Sequence, residues 1–294
     1  MTVAVSRGWP APAKLNLCLY VTGRRPDGYH ELQTAFQLLD WSDELHFTVT
    51  HEPRVRRLAV SYGVLESEDL VVRAANALKS WVGRADLGVD IEVIKRLPCG
   101  AGLGGGSSDA ATTLVALNHL WGLHVPGAEL ERLGGSLGAD VPVFVRGYSA
   151  WAEGVGEKLT VLDLPPATYL VIFPGTGMST AQVFQAPELT RNSPRITMTG
   201  FLERLQGDPL TQRLLSNDLE PVVRSRHEGV REALQWLAIR GFARMTGSGA
   251  CVFAAFESAT QAEQALQELP ARWQGWVVTG VNRSPLWSRF DVES

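Results

Sequence analysis

The first half of the chain carries the two-residue hydrophobic period of β-strands in three segments. AKLNLCLYV and LQTAFQLLDWSDELHFTVT alternate or run apolar at strand length, with turn residues between them. VDIEVIKRL alternates apolar and polar residues in the same way. The pattern predicts strands in all three segments, and the third leads into a glycine-rich loop.

Other segments have the spacing of amphipathic helices. EDLVVRAANALKSWVG places four apolar residues on one helical face: Leu70, Ala74, Leu78 and Trp81. A helix is predicted over 107–121, and a shorter one over GAELERLGGSL. The segment GADVPVFV is predicted to be a loop that runs into a strand.

Two prolines indicate a boundary between domains. Pro165 and Pro166 interrupt regular structure, and a new buried strand is predicted at 169–173. The pattern beyond it predicts helices through about residue 239, strands near 242–245 and 251–256, a helix over 259–269 and a last strand near 276–281. With the intervening helices merged, this is the split β-α-β-β-α-β order of a ferredoxin-like sandwich. We therefore predict two α+β domains, 1–160 and 161–294.

The composition excludes several classes of protein. Hydrophobic residues make up 45% of the chain and charged residues 20%, as in ordinary globular proteins. The net charge of −4 argues against a nucleic-acid partner, because nucleic-acid binders carry a basic face. No apolar stretch approaches the ~20 residues needed to cross a bilayer, so no membrane partner is expected. Charged residues and prolines interrupt the N-terminus, which therefore lacks a signal-peptide core.

The cysteines and histidines argue against disulfides and metal sites. Cys18, Cys99 and Cys251 are odd in number and far apart, which is typical of reduced thiols in a cytoplasmic protein. Cys99 is expected to be a small buried residue rather than a reactive one. The six histidines show no metal-ligand spacing, so we expect no metal held by protein ligands.

The segment RLPCGAGLGGGSSDAATTLVALNHLWG is the most informative part of the sequence. Its glycines at 100, 102 and 105 satisfy a dinucleotide-binding pattern, but no strand ending in an acidic residue follows the helix. The lysine of a Walker A loop is absent. A helix N-terminus preceded by glycines favours a polyphosphate, because free N–H groups and the helix dipole attract anions. Ser107 and Ser108 are expected to cap the helix and to offer hydroxyls to a phosphate or its magnesium. A turn whose glycines only permit tight packing is the remaining alternative.

Three motifs in order are similar to one family of enzymes. PCGAGLGGGSSDAA closely resembles the central motif of the GHMP kinases, which phosphorylate small molecules. The N-terminal PAPAKLNLCLYV and the C-terminal ARMTGSGACVFAAF resemble the family's other two motifs. The resemblance implies a ribosomal-protein-S5-like N-terminal domain and a ferredoxin-like C-terminal domain, with the active site in the cleft between them. It also implies ATP as phosphoryl donor, with Mg²⁺ arriving on the nucleotide.

Further segments are similar to one branch of this family. AKLNLCLYVTGRRPDGYHEL, GADVPVF, AEGVGEKL and SNDLEPVV resemble the kinases that act on a cytidine-diphosphate-linked polyol. The resemblance implies phosphorylation of its 2-hydroxyl in non-mevalonate isoprenoid precursor biosynthesis. Another small-alcohol kinase and a nucleotide-binding regulator without catalysis are the alternatives. The expected state is a monomer or a weak homodimer.

The resemblance assigns catalytic and ATP-binding roles to particular residues. Asp140 matches the residue that takes or orients the hydroxyl proton, and Lys14 matches its partner, which stabilises developing charge. Without the family, Asp140 would be interpreted as a turn former or a helix cap, and Lys14 as an edge residue. Asp69 stands near the adenine where many relatives have Asn, so the base contact there is left open. The ATP-binding residues implied are Asp69, Pro98, Gly100, Ala101, Gly102, Leu103, Gly104, Gly105, Gly106, Ser107 and Ser108.

The resemblance also assigns residues to the second substrate. Tyr29 and His30 match residues that recognise cytosine by stacking and by hydrogen bonding, although PDGYH could be an ordinary turn. Phe184 is a candidate for the other side of the base, or equally a core aromatic. The substrate contacts implied, near the reacting groups or the diphosphate, are Asn16, Thr246, Gly247, Ser248 and Gly249.

Overall fold

The N-terminal half is organised around one long antiparallel hairpin. The computed structural model describes residues 4–58, 64–207, 212 and 214–291. Strands β1 (Ala4–Arg24) and β2 (His30–Thr50) pair along almost their whole length. The register of β1 shifts between Pro12 and Lys14 and again between Asn16 and Cys18. Such bulges re-aim side chains, and these two flank the segment from Lys14 to Asn16.

Short strands and four helices complete this half. β3 (Val55–Leu58) lies parallel to β4 (Gly88–Ile94), and β4 pairs antiparallel with β2. Strand β5 (Ala150–Glu153) pairs with β2 and with β6 (Lys158–Val161). The helices are α1 (Leu70–Trp81), α2 (Gly105–Leu120), α3 (Gly127–Gly135) and α4 (Val141–Arg146).

The C-terminal half has the predicted ferredoxin-like sheet. Its strands are β7 (Thr168–Phe173), β8 (Arg244–Met245), β9 (Val252–Phe256) and β10 (Gln274–Val281). They pair antiparallel in the order β10-β7-β9-β8, which is the 4-1-3-2 order of the split β-α-β-β-α-β unit. The helices are α5 (Thr180–Gln185), α6 (Met198–Gln206), α7 (Glu220–Arg226), α8 (Glu228–Ala238), α9 (Ala259–Gln267) and α10 (Ser288–Asp291).

One strand joins the two halves. β10 pairs with β7, and its last residues, Gly280 and Val281, pair with Leu39 and Leu38 of β2. The ten described strands therefore form a single sheet. The predicted boundary near residue 160 falls within β6, so the division into 1–160 and 161–294 stays a prediction.

Most predicted helices and strands are confirmed, but GADVPVFV is not a loop followed by a strand. Val141–Arg146 is helix α4, with a proline in its first turn. Proline is tolerated there because its missing N–H has no partner in the helix. Gly147, with φ of +72°, ends the helix. Residues 141–145 are all buried, so a short helix without a polar face looked like a strand in the sequence.

The buried face of α1 also differs slightly from the prediction. Ala74 and Leu78 are buried as expected, but Trp81 is 43% exposed, and the Arg132 guanidinium lies 4.2 Å from its ring centre. Val71 and Ala75 are buried instead, so the apolar face is rotated by about one residue. Within the described ranges, no helix combines the length and the apolar character that a membrane crossing requires.

Leu78 tests how much the packing of α1 contributes to stability. Its side chain is fully buried, so Leu78→Ala removes apolar contacts and leaves a cavity, and we expect a loss of about 2–5 kcal/mol in the free energy of unfolding. Ile239 is 80% exposed, and Ile239→Ala should change this free energy by about 0.5 kcal/mol or less. Urea unfolding of both variants measures the difference, and equal losses would contradict the assigned core.

Candidate active site

A cavity of about 570 Å³ lies between the two halves of the chain. This volume is within the range of small-molecule sites. Its walls come from β1, the glycine-rich loop, the start of α4, and the turn that holds Gly247, Ser248 and Gly249. The motifs that are far apart in the sequence therefore meet around one space.

Lys14 and Asp140 form an ion pair in this cavity. The Lys14 Nζ lies 3.4 Å from Asp140 Oδ2, donates to the Gly102 carbonyl at 3.0 Å and donates to Asn16 Oδ1. Lys14 is 2% exposed, whereas the Asp140 side chain is 33% exposed. A buried charge requires such partners, because burial without them costs several kcal/mol. The pair places a shielded cation beside a carboxylate that remains accessible from the cavity.

Hydrogen bonds connect Asn16 to strand β2 and to Thr246 in the C-terminal half of the chain. Its backbone N–H donates to Thr246 Oγ1 at 2.9 Å, and its side-chain Nδ2 donates to Thr34 Oγ1 at 2.8 Å. Thr34 in turn donates to the Cys18 carbonyl at 2.6 Å. The polar groups around Lys14 are therefore held by a connected network.

The two glycine-rich turns approach each other backbone to backbone. Gly102 and Gly104 have φ of +78° and +74°, and a Cβ on Gly102 would lie 2.2 Å from the Thr246 carbonyl oxygen. A Cβ on Gly104 would lie 2.8 Å from the Phe144 ring, and one on Gly247 would lie 3.0 Å from the Gly102 carbonyl oxygen. These glycines permit close packing of the two turns, which was one of the interpretations of the glycine-rich loop in the sequence. The same approach leaves the start of α2 open to the cavity.

Helix α2 begins without a side-chain cap. Gly104 is its N-cap, and Ser107 and Ser108 lie within the first turn, so the expectation that these serines cap the helix is wrong. Ser108 is fully buried, and its Oγ has no hydrogen-bond partner. The uncapped N–H groups and the helix dipole make this end of α2 suited to an anion.

Lys95, which sequence reasoning missed, lines the cavity beside this helix end. Its Nζ lies 2.8 Å from Asp109 Oδ2 and also contacts Asp43 Oδ2. Burial alone would lower the pKa of Lys95, but the carboxylates of Asp109 and Asp43 outweigh it and raise the pKa. Burial raises the pKa of Asp109 to about 7, although the Lys95 ammonium opposes the shift. Lys95 follows strand β4 directly and precedes the glycine-rich loop. This position next to the loop is the feature of the sequence that could have identified it.

Asp69 is engaged by the protein itself. It is the N-cap of α1, where Oδ1 accepts a hydrogen bond from the Val71 N–H at 3.0 Å, and Oδ2 pairs with Arg57. Asp69 lines the cavity but is only 5% exposed. The Asp69 carboxylate therefore forms an ion pair with Arg57 that an asparagine amide at this position could not form.

An aromatic pair lies at another part of the site. Phe184 lines the cavity, and its ring centre lies 5.2 Å from that of His30, with the planes 32° apart. His30 Nε2 accepts a hydrogen bond from Arg191 Nε at 3.2 Å. Burial first, and then the charges of Arg191 and Arg24, lower the pKa of His30 and favour its neutral form. Neither His30 nor Tyr29 lines the cavity, and Tyr29 is 66% exposed in the turn that precedes His30.

Asn217 supports the second glycine-rich turn. Its Nδ2 donates to the carbonyl oxygens of Met245 and Gly247 at 2.9 and 2.8 Å, and its Oδ1 accepts from the Leu219 N–H. The Ser248 hydroxyl lies 2.7 Å from that of Thr180. Asn217 lies in the SNDLEPVV segment, but no role was predicted for it, and Arg191 was not singled out, because side chains that hold backbone or other side chains have no spacing pattern.

The geometry tests the prediction that Cys99 is buried. Cys99 is exposed and lines the cavity, so the expectation of a buried residue is wrong. It follows Pro98 in the turn that enters the glycine-rich loop, where the backbone leaves the core. The expectation of no protein-held metal stays a prediction, and no group of three or more potential ligand side chains occurs among the described residues.

Two family models match the chain. The model described as GHMP kinases N terminal domain matches residues 69–148, and the model described as GHMP kinases C terminal matches residues 202–275. These ranges contain the glycine-rich loop, Asp140 and the turn at 246–249.

Named relatives match nearly the whole chain. A 4-diphosphocytidyl-2-C-methyl-D-erythritol kinase of Halorhodospira halophila is 53% identical over 281 residues, covering 95% of this chain and 94% of that protein. A protein of the same name from Burkholderia multivorans is also 53% identical, over 279 residues and 95% of both chains. A crystal structure of 4-(cytidine 5'-diphospho)-2C-methyl-D-erythritol kinase matches with a TM-score of 0.78 and 36% identity, over 95% of this chain and 100% of that one. A mevalonate kinase structure, at 13% identity and a TM-score of 0.69 over 95% of this chain and 100% of that one, shares the fold.

Gly102→Ala tests the close approach of the two glycine-rich turns. Gly122 is a matched control, because it has φ of +60° but an added Cβ there would meet nothing within 4 Å. Gly122→Ala should cost about 1–2 kcal/mol of unfolding free energy from the backbone conformation alone. Gly102→Ala should cost a further ~1–3 kcal/mol from the clash with the Thr246 carbonyl. Denaturant unfolding measures both, and equal costs would mean that the turns do not touch.

Proposed function

The chain belongs to the GHMP kinase family and is a small-molecule kinase, and we propose that it phosphorylates 4-diphosphocytidyl-2-C-methyl-D-erythritol. The phosphoryl donor is ATP, the acceptor is the 2-hydroxyl, and the product is an isoprenoid precursor of the non-mevalonate pathway. The names of relatives at 53% identity support this substrate. The fold is the family's two-domain fold, with a ribosomal-protein-S5-like N-terminal domain and a ferredoxin-like C-terminal domain.

The observation that carries the proposal is the Lys14–Asp140 pair in the cavity between the two glycine-rich turns. Asp140 accepts the proton of the acceptor hydroxyl. The hydroxyl oxygen forms a bond to the γ-phosphorus of ATP, and the bond between that phosphorus and the oxygen of the β-phosphate breaks. ADP leaves with the electron pair of that bond, so the reaction is balanced. A positioned base contributes about 10²–10⁴-fold to the rate. Lys14 stabilises the negative charge that develops between the reacting groups.

The ATP phosphates bind at the loop from Gly100 to Ser108, under this proposal. The uncapped start of α2 offers N–H groups to the phosphates, and Lys95 adds a positive charge on the same wall of the cavity. Mg²⁺ arrives with the nucleotide and neutralises phosphate charge when it is bound. Ser107 and Asp140 both line the cavity and carry oxygen groups of the kind that Mg²⁺ prefers, so these residues fit the ion.

The cytosine binds near Phe184 and His30, under this proposal. Phe184 offers a ring face to the base. Arg191 donates to Nε2 of the neutral His30, so the remaining ring nitrogen, Nδ1, carries the proton and can donate to a cytosine acceptor. Tyr29 precedes His30 in an exposed turn and remains the candidate for stacking on the other side of the base.

The remaining substrate contacts are assigned to Asn16 and to the turn from Thr246 to Gly249, next to the diphosphate or the reacting groups. Asn16 and Thr246 are joined by a hydrogen bond of 2.9 Å, so the two contacts are held together. The free thiols of Cys18, Cys99 and Cys251 support a cytoplasmic location. The oligomeric state stays as predicted from the sequence, a monomer or a weak homodimer.

Release of ADP from ATP and magnesium tests the function. Two acceptors are compared: the cytidine-diphosphate compound, and the same polyol phosphate without cytidine. Turnover with the cytidine compound only is the expected result. Turnover with both would refute the proposed cytosine site, and turnover with neither would refute the proposed substrate.

Asp140→Asn tests the role of the base. The amide has the same shape but cannot accept the proton, so kcat should fall by at least ~10²-fold while the KM for ATP changes little. Asp86→Asn, at an exposed carboxylate paired with Arg84, is the control and should leave both constants unchanged. Steady-state kinetics measures them, and an unchanged kcat in Asp140→Asn would remove Asp140 from this role.

The pH dependence of substrate binding tests His30. Its pKa in the folded protein lies below the ordinary value of 6.5, so the ring is neutral at pH 7 and Nε2 accepts from Arg191. As the pH falls through that lowered pKa, a second cation forms beside Arg191, and the KM for the cytidine substrate should rise by up to about tenfold per pH unit. The KM for ATP should not follow this rise.

His30→Gln should remove the acid limb of this KM profile, because glutamine does not titrate. His51→Gln changes an exposed histidine and should leave the profile as it is. The assignment fails if the acid limb persists in His30→Gln or disappears in His51→Gln.

A further inference from the structure

The side chain of Asn217 is buried behind the second glycine-rich turn. Asn217 is 4% exposed and does not line the active-site cavity. Its Oδ1 accepts a hydrogen bond from the Leu219 N–H at 3.0 Å, which fixes the orientation of the amide. Both hydrogens of Nδ2 are therefore directed at carbonyl oxygens, those of Met245 and Gly247, at 2.9 and 2.8 Å. Asn217 thus determines where the Gly247 carbonyl points.

The hydrogen bond to the Gly247 carbonyl also determines the direction of the next N–H group. The C=O and the N–H of a planar trans peptide point in opposite directions, so the Ser248 N–H points away from Asn217. Within the described ranges, neither the Gly247 N–H nor the Ser248 N–H donates to a protein acceptor. Both residues line the cavity. Two backbone donors at the wall of the active site are therefore left for a ligand.

These two donors lie beside the Lys14–Asp140 pair. A Cβ on Gly247 would lie 3.3 Å from Lys14 Nζ, and the same ammonium lies 3.4 Å from Asp140 Oδ2. Gly247 has φ of +56°, and successive N–H groups next to a residue in this conformation form a concavity that binds anions. The position next to Lys14 favours the reacting groups, rather than the diphosphate of the acceptor, as the anion that this turn binds.

We propose that Asn217 is a positioning residue, which directs the N–H groups of Gly247 and Ser248 at the phosphoryl group during its transfer. This role rests on the proposed kinase function. Negative charge is spread over the phosphoryl oxygens in the transfer, and donors that are already in position stabilise it without rearrangement. Without Asn217 the Gly247 carbonyl loses its partner, and a glycine at this position lets the peptide rotate. The donors then no longer point at the phosphoryl group.

The backbone around Asn217 fixes its position relative to Lys14. The Leu19 N–H donates to the Ser216 carbonyl at 2.9 Å, and the Asp218 N–H donates to the Leu19 carbonyl at 2.8 Å. Leu19 belongs to β1, the strand that carries Lys14. Asn217 therefore holds the second glycine-rich turn in the same frame as the catalytic lysine.

Asn217→Leu tests the proposal, because leucine has nearly the shape of asparagine but no polar group. With the cytidine compound, kcat should fall by about 10–100-fold, because the turn no longer holds its donors in place. The KM values for ATP and for the cytidine compound should change by less than about threefold, because the interaction is made in the transition state. Steady-state kinetics measures all three constants.

Asn118→Leu is the matched control for this variant. The Asn118 Nδ2 donates to the Val125 carbonyl at 3.1 Å, and its Oδ1 accepts from the Val125 N–H at 2.8 Å. Asn118 does not line the cavity, so the loss of these bonds should lower the urea midpoint and leave kcat unchanged. An unchanged kcat in a folded Asn217→Leu protein, or an equal fall in Asn118→Leu, would overturn the proposal.

Hydrogen exchange in the unmodified protein is a second test, which depends neither on the folding of a variant nor on the acceptor. ADP, magnesium and aluminium fluoride supply a mimic of the phosphoryl group in transfer. The Ser248 N–H should exchange at least ~10-fold more slowly with this mimic than with ADP and magnesium alone, as NMR measures it. The Gly249 N–H already donates to the Thr246 carbonyl at 3.0 Å and should change little. No slowing at Ser248 would overturn the proposal.

The two measurements separate the role of Asn217 from the proposed function. If the unmodified protein does not turn over the cytidine compound, the proposed substrate is refuted, and the exchange of the Ser248 N–H still decides whether the turn binds the phosphoryl group. Slowing of this exchange by the cytidine compound alone would place the turn at the diphosphate of the acceptor. That result would overturn the role given to Asn217 and leave the kinase function standing.

Discussion

The ammonium group of Lys14 is buried where three distant parts of the chain meet. It is satisfied by the Gly102 carbonyl, by Asn16 Oδ1 and by the carboxylate of Asp140. Because a buried charge without partners is strongly destabilising, each of these groups has to be in place when the chain is folded. The strand, the glycine-rich loop and helix α4 are therefore held in one arrangement by the same group that the proposed reaction uses.

This constraint explains the backbone at the site. Lys14 reaches the Gly102 carbonyl only if the loop comes close to β1, and a Cβ on Gly104 would lie 3.2 Å from Lys14 Cε. Gly247 meets the same loop from the other side, and Asn217 holds its carbonyl in place. Strand β10 joins the sheets of the two halves, so the walls of the cavity are parts of one hydrogen-bonded framework. A site that has to place a hydroxyl, a base and a phosphate within bonding distance depends on such rigidity.

The accuracy of the sequence predictions followed the strength of each local pattern. Helices α1 and α2 and the ferredoxin-like order in the second half were predicted correctly, because long amphipathic periods and turn residues are local signals. Helix α4 was predicted as a strand, since five consecutive buried residues leave no polar face to reveal a helical period. Lys14 and Asp140 were found through motifs with assigned roles, whereas no motif assigned a role to Lys95, Asn217 or Arg191.

The sequence by itself determined the family, the two-part α+β architecture and the residues that have to meet in the cleft. The motifs carry the family and the site residues, whereas local physics suffices for the helices and strands, because hydrophobic periods and turn residues act over a few residues. The tertiary structure decided which charges face each other and which polar groups stay without a partner. It placed Asp69 against Arg57 and His30 against Arg191, and it left the Ser108 hydroxyl without a hydrogen-bond partner. Electrostatic and hydrogen-bond partners depend on distance in space, and only the folded chain sets that distance.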